Sequence, residues 1–288
     1  NIRVQVYKDV HGAPFNGSPA STSPPAKMSS RGDMFDPLPD DVLCHVLSFL
    51  PSREAVQTCR LARRWRHLWR SAPAIRVRGE RKKKKKFLRF VDNLLFCRDV
   101  RSAPPLLSFE IDADVDVRIA CSYCKQHDCD CDFDDYADRS KVNPRVDEWV
   151  THALRQCRAR SLRACFHETR WKPRRARPFA SPHLTRIHLD AVYLKDRQLN
   201  FSCCPALLRL DLVLCSLHGD ALVSLSLERL AIVDCHTDID EDPEAPDERF
   251  HMSLSTSRIR FLKISHNYDK EQFLKMAPWL TEESISYY

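Results

Sequence analysis

The sequence predicts an α/β protein in which a small module of three helices precedes a curved parallel sheet built from irregular repeats. Apolar residues recur at helical spacing between residues 38 and 69, with acidic residues at the start and prolines at the breaks. Further along, a Leu-x-x-Leu-x-Leu pattern occurs three times at intervals of 20 to 23 residues, and a fourth copy follows after the acidic run 238–248. A chain of 288 residues has room for one small module and one larger domain.

Residues 1–32 are rich in Ser, Pro, Ala and Gly and have no apolar periodicity. We expect a disordered leader there. The chain begins with Asn, and Met28 and Met34 are alternative starts close to the first helix. We therefore assign no function to the leader.

Residues 33–73 carry the three predicted helices. Asp40 and Asp41 favour a helix N-terminus, an apolar stripe follows as far as Leu50, and Pro51 stops it. A second helix is predicted from about Arg53 to Leu61, and a third contains two tryptophans. So small a unit buries too little apolar surface to be stable alone, so another surface must cover it.

This segment resembles an F-box, through Leu-Pro-Asp-Asp-Val-Leu-Cys-His-Val-Leu-Ser-Phe-Leu-Pro and the Arg-Arg-Trp-Arg-x-Leu-Trp ending. The main departure is Cys59-Arg60-Leu61-Ala62, where many plant members have a Thr-Ser-x-Leu-Ser-Lys type of run. The resemblance implies a docking module for the Skp-family adaptor of a cullin-type, SCF-like ubiquitin ligase. An ordinary amphipathic helical hairpin would match the spacing, but not the residue identities at about fifteen positions. The resemblance implies that the following residues face the adaptor or form the module core: Leu38, Pro39, Val42, Leu43, Val46, Leu47, Leu50, Pro51, Trp65, Leu68 and Trp69.

Residues 74–104 are predicted to be a linker. A short strand at Ala74–Val77 is followed by Arg81–Lys86 and then by helical periodicity from Phe87 to Phe96. The Lys82–Lys86 block fits either a nuclear-localisation or nucleic-acid-contacting patch or a solvated loop. Because no aromatic residues interleave the lysines, we favour the loop and expect no nucleic-acid partner.

Residues 105–288 show the leucine-rich-repeat pattern, which predicts a degenerate leucine-rich-repeat solenoid with a curved parallel sheet. The resemblance to plant members, which often continue into a further domain, implies that this solenoid is C-terminally truncated. Cys215 and Cys235 occupy the position where the repeat turns a small residue into its core. An earlier strand is predicted around Phe109, and a helix and strand at Val146–Leu154 and Ser161–Phe166. The repeat patterns are Leu184-x-x-Ile187-x-Leu189, Leu207-x-x-Leu210-x-Leu212, Leu227-x-x-Leu230-x-Ile232 and Ile259-x-x-Leu262-x-Ile264. With the F-box, they resemble plant F-box/leucine-rich-repeat proteins of the FBD type, also called RNI-like.

Side chains between the apolar repeat positions are the candidates for binding a target protein, since alternate strand positions face away from the core. They are Arg186, His188, Asp190, Arg209, Asp211, Arg229 and Lys263.

Four cysteines, Cys121, Cys124, Cys129 and Cys131, are spaced closely enough to suggest a zinc site. The second pair is separated by one residue only, and five nearby aspartates disfavour the thiolates that would bind zinc. We therefore prefer a reduced, mobile acidic loop, with metal ligation as the alternative. A calcium loop fails because Phe133 and Arg139 stand where it needs Gly and Glu.

No nucleotide, phosphate-loop or nucleophile motif occurs, so we expect a noncatalytic protein without cofactors. Thirteen cysteines, an odd number, fit reduced thiols in the nucleus or cytoplasm, and no membrane partner is expected. The favoured function is a substrate receptor whose repeats bind a target for ubiquitination. The rival functions are an adaptor-binding remnant without a target and a nucleic-acid-associated protein.

Overall fold

A computed structural model describes residues 35, 37–79, 84–98, 100–101, 103–113, 144–166, 171–173, 179–194, 198–217, 221–235, 253–256, 258–264 and 285–287. Residues 1–38 belong to one unit, in which the Leu38 amide donates to the Phe35 carbonyl at 3.1 Å. Residues 39–288 form a second unit. The predicted disordered leader, the four-cysteine cluster and the acidic run 238–248 lie outside the described residues.

The N-terminal module begins with α1 (Asp40–Leu47) and α2 (Ser52–Gln57). Asp40 and Asp41 lie in the first turn of α1, where the helix dipole favours negative charge. The prediction of a third α-helix was wrong, because three short 3₁₀ helices follow: Thr58–Arg60, Arg64–Arg66 and Leu68–Ser71. Trp65 and Leu68 are both buried, and each lies in one of the last two 3₁₀ helices.

Two further α-helices follow, α3 (Lys84–Cys97) and α4 (Pro144–Thr151), and α4 continues as a π-helix over His152–Gln156. The loop predicted for the lysine block is wrong for Lys84–Lys86, which form the first turn of α3. Lysine is a good helix former, and the apolar face that begins at Phe87 anchors the turn before it. The remainder of the block lies outside the described residues.

The strands are β1 (Ala74–Gly79), β2 (Ser108–Ala113), β3 (Ser161–Cys165), β4 (Arg186–Asp190), β5 (Tyr193–Leu194), β6 (Gln198–Asn200), β7 (Arg209–Val213), β8 (Ser216–Leu217), β9 (Ala221–Val223), β10 (Arg229–Val233), β11 (Ser253–Ser255), β12 (Phe261–Ile264) and β13 (Ile285–Tyr287). Eight of them form a parallel sheet in the order β1-β2-β3-β4-β7-β10-β12-β13. The predicted mixture of helices and a parallel sheet is confirmed.

The predicted repeat positions stack in register across this sheet. Leu162 pairs with Ile187, Ile187 with Leu210, and Leu210 with Leu230. All of these side chains are fully buried, as the apolar alternation requires. The smaller parallel sheets β11-β9-β6 and β5-β8 occupy the chain between the long strands.

Equivalent turns end three successive strands. Ala191, Leu214 and Asp234 each have a left-handed backbone, with φ of 55°, 50° and 49°. The next residue is buried each time, and in two turns it is the predicted core cysteine, Cys215 or Cys235. The Cys215 thiol donates to the Val213 carbonyl at 3.3 Å, so it satisfies a backbone group inside the turn.

Among the described residues, no helix has the length and apolar character needed to cross a membrane.

Candidate protein-binding surfaces

Helix α1 has two apolar faces, of which only one packs against the protein. Leu43, Cys44 and Leu47 are buried. Val42, Val46 and Phe49 are exposed by 38, 42 and 67 %. These three residues are spaced by four and three positions, so they follow one line along the helix and the turn after it. We call them the exposed stripe, and a contiguous apolar line of this kind indicates a protein-binding surface.

The buried face of α1 packs against the 3₁₀ helices. The Cys44 thiol donates to the Leu68 carbonyl at 3.4 Å, and the Arg64 Nε donates to an Asp40 carboxylate oxygen at 2.7 Å. Burial raises the pKa of the Cys44 thiol, and the charges of Asp40 and Asp41 add to this effect. Cys44 is therefore a neutral core group.

The structure sorts the eleven F-box residues predicted from sequence, which helical spacing alone could not do. The buried ones are Leu43, Leu47, Trp65 and Leu68; the exposed ones are Pro39, Val42 and Val46; the half-buried ones are Leu38, Leu50, Pro51 and Trp69. The sequence prediction omitted Phe49 and Leu61, which are exposed by 67 and 69 %. Phe49 could have been found from its three-residue spacing after Val46.

Arg98 joins the helical module to the rest of the second unit. Its side chain is 4 % exposed, and its guanidinium donates to the carbonyls of Arg70 at 3.1 Å, Ala72 at 2.7 Å and Pro104 at 2.7 Å. Burial lowers the pKa of Arg98, while the nearby thiols of Cys157 and Cys44 act in the opposite direction. Sequence reasoning missed this residue, because an arginine at the end of an amphipathic helix has the pattern of a surface residue.

A second contact joins the same two parts. The backbone amide of Arg76 in β1 donates to the Ser52 Oγ of α2 at 2.9 Å. Strand β1 therefore begins directly against the helical module.

The polar face of the sheet is formed by the strand residues that alternate with the buried ones. On neighbouring strands β4, β7 and β10, Arg186 pairs with Arg209, and Arg209 with Arg229. Adjacent strands are about 4.8 Å apart, so three exposed guanidinium side chains start from neighbouring positions. We call them the arginine row. Phe261 extends this row on β12, and the Arg229 guanidinium lies 5.9 Å from its ring centroid.

The next rows of the polar face hold the remaining predicted target-binding residues. His188 pairs with Asp211 across β4 and β7, and Lys263 lies in the same row on β12. Asp190 lies one row further along β4, opposite Cys165 of β3. The sheet thus brings all seven residues onto one surface, and their role in target binding stays a prediction.

In the middle of the polar face, Asp211 interacts with two basic side chains, His188 and Arg209. The His188 Nδ1 lies 3.8 Å from an Asp211 carboxylate oxygen, and the Arg209 Nε donates to the same carboxylate at 2.8 and 3.1 Å. The contact with Asp211, and next that with Cys165, raises the pKa of His188 to about 9. Burial raises the pKa of Asp211, but hydrogen bonds from His188 and Arg209 outweigh it and the pKa is lowered overall.

Comparison with known proteins adds to this geometry. The F-box domain family matches residues 35–74, which contain both α1 and the exposed stripe. An F-box/LRR-repeat protein of Arabidopsis thaliana is 30% identical over 146 residues, which are 51% of this chain and 25% of that protein. A putative FBD-associated F-box protein of the same plant is 25% identical over 275 residues, which are 89% of this chain and 58% of that protein.

The chain contains an F-box domain and is similar to Arabidopsis F-box/LRR-repeat and FBD-associated F-box proteins. A further Arabidopsis relative, an F-box/FBD/LRR-repeat protein, is 48% identical over 50 residues, which are 17% of this chain and 11% of that protein. The chain spans less than two thirds of the length of each of these relatives. The resemblance seen in its sequence is confirmed.

Proposed function

We propose that this F-box protein is a substrate receptor of an SCF-like ubiquitin ligase. The observation that carries the proposal is the exposed stripe of Val42, Val46 and Phe49 within the F-box match. An apolar line on the outer side of a well-packed helix is suited to a partner that buries it. In this proposal the partner is a Skp-family adaptor, through which the protein reaches a cullin.

The proposed role is noncatalytic. A receptor that holds its target near the ubiquitin carrier raises the effective concentration of the reacting groups, which requires no active site of its own. Arg98 and the Ser52–Arg76 contact support this role because they join the module to the sheet, the first by a buried and the second by a partly buried hydrogen bond. We place the protein in the nucleus or the cytoplasm, where such ligases act.

The target is proposed to dock on the polar face of the sheet. We further propose that the repeats form a leucine-rich-repeat solenoid; the in-register strands and the left-handed turns that recur from strand to strand support this, because a solenoid is a stack of similar units. The arginine row favours a target segment with acidic side chains. Three like charges on neighbouring strands repel one another, and an anionic partner removes that repulsion.

Adaptor capture by the purified full chain tests the first part of the proposal. Val46→Asp places a charge in the centre of the exposed stripe without touching the buried face of α1. We expect it to weaken capture by about 30-fold or more, because burying an unpaired carboxylate costs at least about 2 kcal/mol. Phe96→Asp is the matched control, since Phe96 is an exposed apolar residue of α3 outside the F-box match.

Three results decide between the alternatives. Loss of capture in Val46→Asp with normal capture in Phe96→Asp supports adaptor docking through the stripe. Failure of the unmodified chain to capture the adaptor refutes it. Capture without ubiquitination of any bound protein would instead indicate an adaptor-binding remnant.

The arginine row has its own test. Reversal of Arg186 and Arg229 to Glu is expected to abolish binding of target proteins while leaving adaptor capture unchanged. Duplex DNA and RNA serve as competitors in a salt titration, because nucleic-acid binding through these arginines would fall steeply with salt. Retention of nucleic acid with no bound protein would favour the nucleic-acid-associated function instead.

A further inference from the structure

Three potential metal ligands meet on the polar face next to the arginine row. They are Cys165 at the end of β3 and His188 and Asp190 on β4, and one ligand atom from each lies within 4.8 Å of the others. Cys165 pairs directly with Asp190 across the two strands, and His188 precedes Asp190 by two residues on the same face. None of these atoms belongs to the four-cysteine cluster considered from the sequence.

We propose that Cys165, His188 and Asp190 form a binding site for a single zinc ion. Zinc is held in proteins by thiolate, imidazole and carboxylate ligands in a tetrahedral arrangement. Ligand atoms on such an ion are about 3.5 Å apart, given bond lengths of about 2.0 to 2.3 Å. Side-chain movements of about 1 Å therefore bring the three groups onto one ion, and water completes the fourth position.

An unsatisfied buried atom supports the site. The Oδ1 of Asp190 is buried, and it has no hydrogen-bond partner within the part of the chain that the structure describes. A buried carboxylate oxygen without a partner is costly, and a cation satisfies it. Cys165 is itself 3 % exposed, so the ion would be bound where solvent competes little.

Asp211 supplies the outer contact that such a site requires. Histidines that bind metals usually donate their second ring nitrogen to a carboxylate, which orients the ring. The His188 Nδ1 lies 3.8 Å from Asp211, which leaves Nε2 to face the ion. Asp211 is thus a positioning residue, held in turn by Arg209.

The charges of the site also fit a divalent ion. Zinc with one thiolate and the Asp190 carboxylate is neutral, while Asp211 balances Arg209. Metal binding to a thiol and an imidazole is a ligand exchange that releases protons to solvent, so no oxidant or other reactant is needed.

Cobalt is the probe for this site, because a cobalt ion bound to a thiolate has a charge-transfer absorption that zinc lacks. Apo protein of full length is titrated with Co²⁺ and then with Zn²⁺, which should displace it. We expect the thiolate band to be lost in Cys165→Ser and the affinity to fall at least 10-fold in His188→Gln and in Asp190→Asn. Asp211→Asn should lower the affinity 10- to 100-fold while keeping the band.

Matched variants separate this site from other cysteines. Cys203→Ser removes an exposed thiol and should leave the titration unchanged. Serine at all four of Cys121, Cys124, Cys129 and Cys131 should also leave the Cys165-dependent band in place. A band that survives in Cys165→Ser, or that disappears in the fourfold variant, would overturn the proposal, as would the absence of any band.

Far-ultraviolet circular dichroism checks that each variant folds. If Cys165→Ser does not fold, His188→Gln and Asp190→Asn decide the question by their effect on affinity. Unchanged affinity in both would overturn the proposal.

Discussion

Arg98 offers a sharp test of how the helical module is joined to the sheet. Replacement by methionine keeps much of the aliphatic volume but removes the guanidinium. Three carbonyls, those of Arg70, Ala72 and Pro104, then lose their donor. Since the side chain is almost fully buried, little solvent is available to replace it.

The size of the effect follows from opposing contributions. A hydrogen bond to a charged group contributes about 1.5 to 3 kcal/mol, so three give roughly 4.5 to 9 kcal/mol in total. Methionine, however, avoids the desolvation penalty of the buried charge, which offsets several kcal/mol of this loss. We therefore expect Arg98→Met to lower the free energy of unfolding by about 2 to 4 kcal/mol.

Urea unfolding followed by tryptophan fluorescence measures this loss. Arg98→Lys should be intermediate, because an ammonium group cannot reach three carbonyls with the planar geometry of a guanidinium. Arg89→Met is the control, since Arg89 is an exposed arginine of α3 and its loss should change the free energy by no more than about 0.5 kcal/mol. If Arg98→Met were no more destabilising than Arg89→Met, the three hydrogen bonds would not join the module to the sheet.

Three further predictions concern the sheet domain. Burial lowers the pKa of His152, so the unfolded chain binds more protons than the folded chain below about pH 6.5. The free energy of unfolding should therefore decrease as the pH falls from 7 to 5. Melting curves over this range should show a smaller decrease for His152→Gln. Leu214→Asn should raise the free energy of unfolding by about 0.5 kcal/mol, because asparagine tolerates a left-handed backbone better than leucine does. Leu208 is also exposed but has no positive φ, so Leu208→Asn should not raise the free energy of unfolding. Trp171→Phe should lower the free energy of unfolding, measured in urea, by about 2 to 3 kcal/mol. The smaller ring leaves buried volume unfilled and cannot donate the 2.8 Å hydrogen bond to Asp147. A decrease below about 0.5 kcal/mol would contradict this packing.

The periodicity of apolar residues was enough to predict α1, α3 and most strands of the large sheet. It failed in the segment from Arg64 to Ser71, where α-helical and 3₁₀ spacing are both compatible with buried Trp65 and Leu68. Local patterns cannot distinguish these helix types when only a few residues are involved. The tertiary contacts of the short segment decide between them.

For the candidate surfaces too, one part could be predicted from the sequence and another part only from the tertiary structure. The sequence determined that an F-box module precedes repeated parallel strands, because residue identities and apolar spacing are local properties of the chain. Only the tertiary structure decided that Val46 faces outward while Leu47 is buried, and that Arg98 reaches three carbonyls. It also decided that Cys165 lies beside Asp190. Most of these contacts depend on strand register and on packing between residues more than 20 positions apart, which no local pattern encodes.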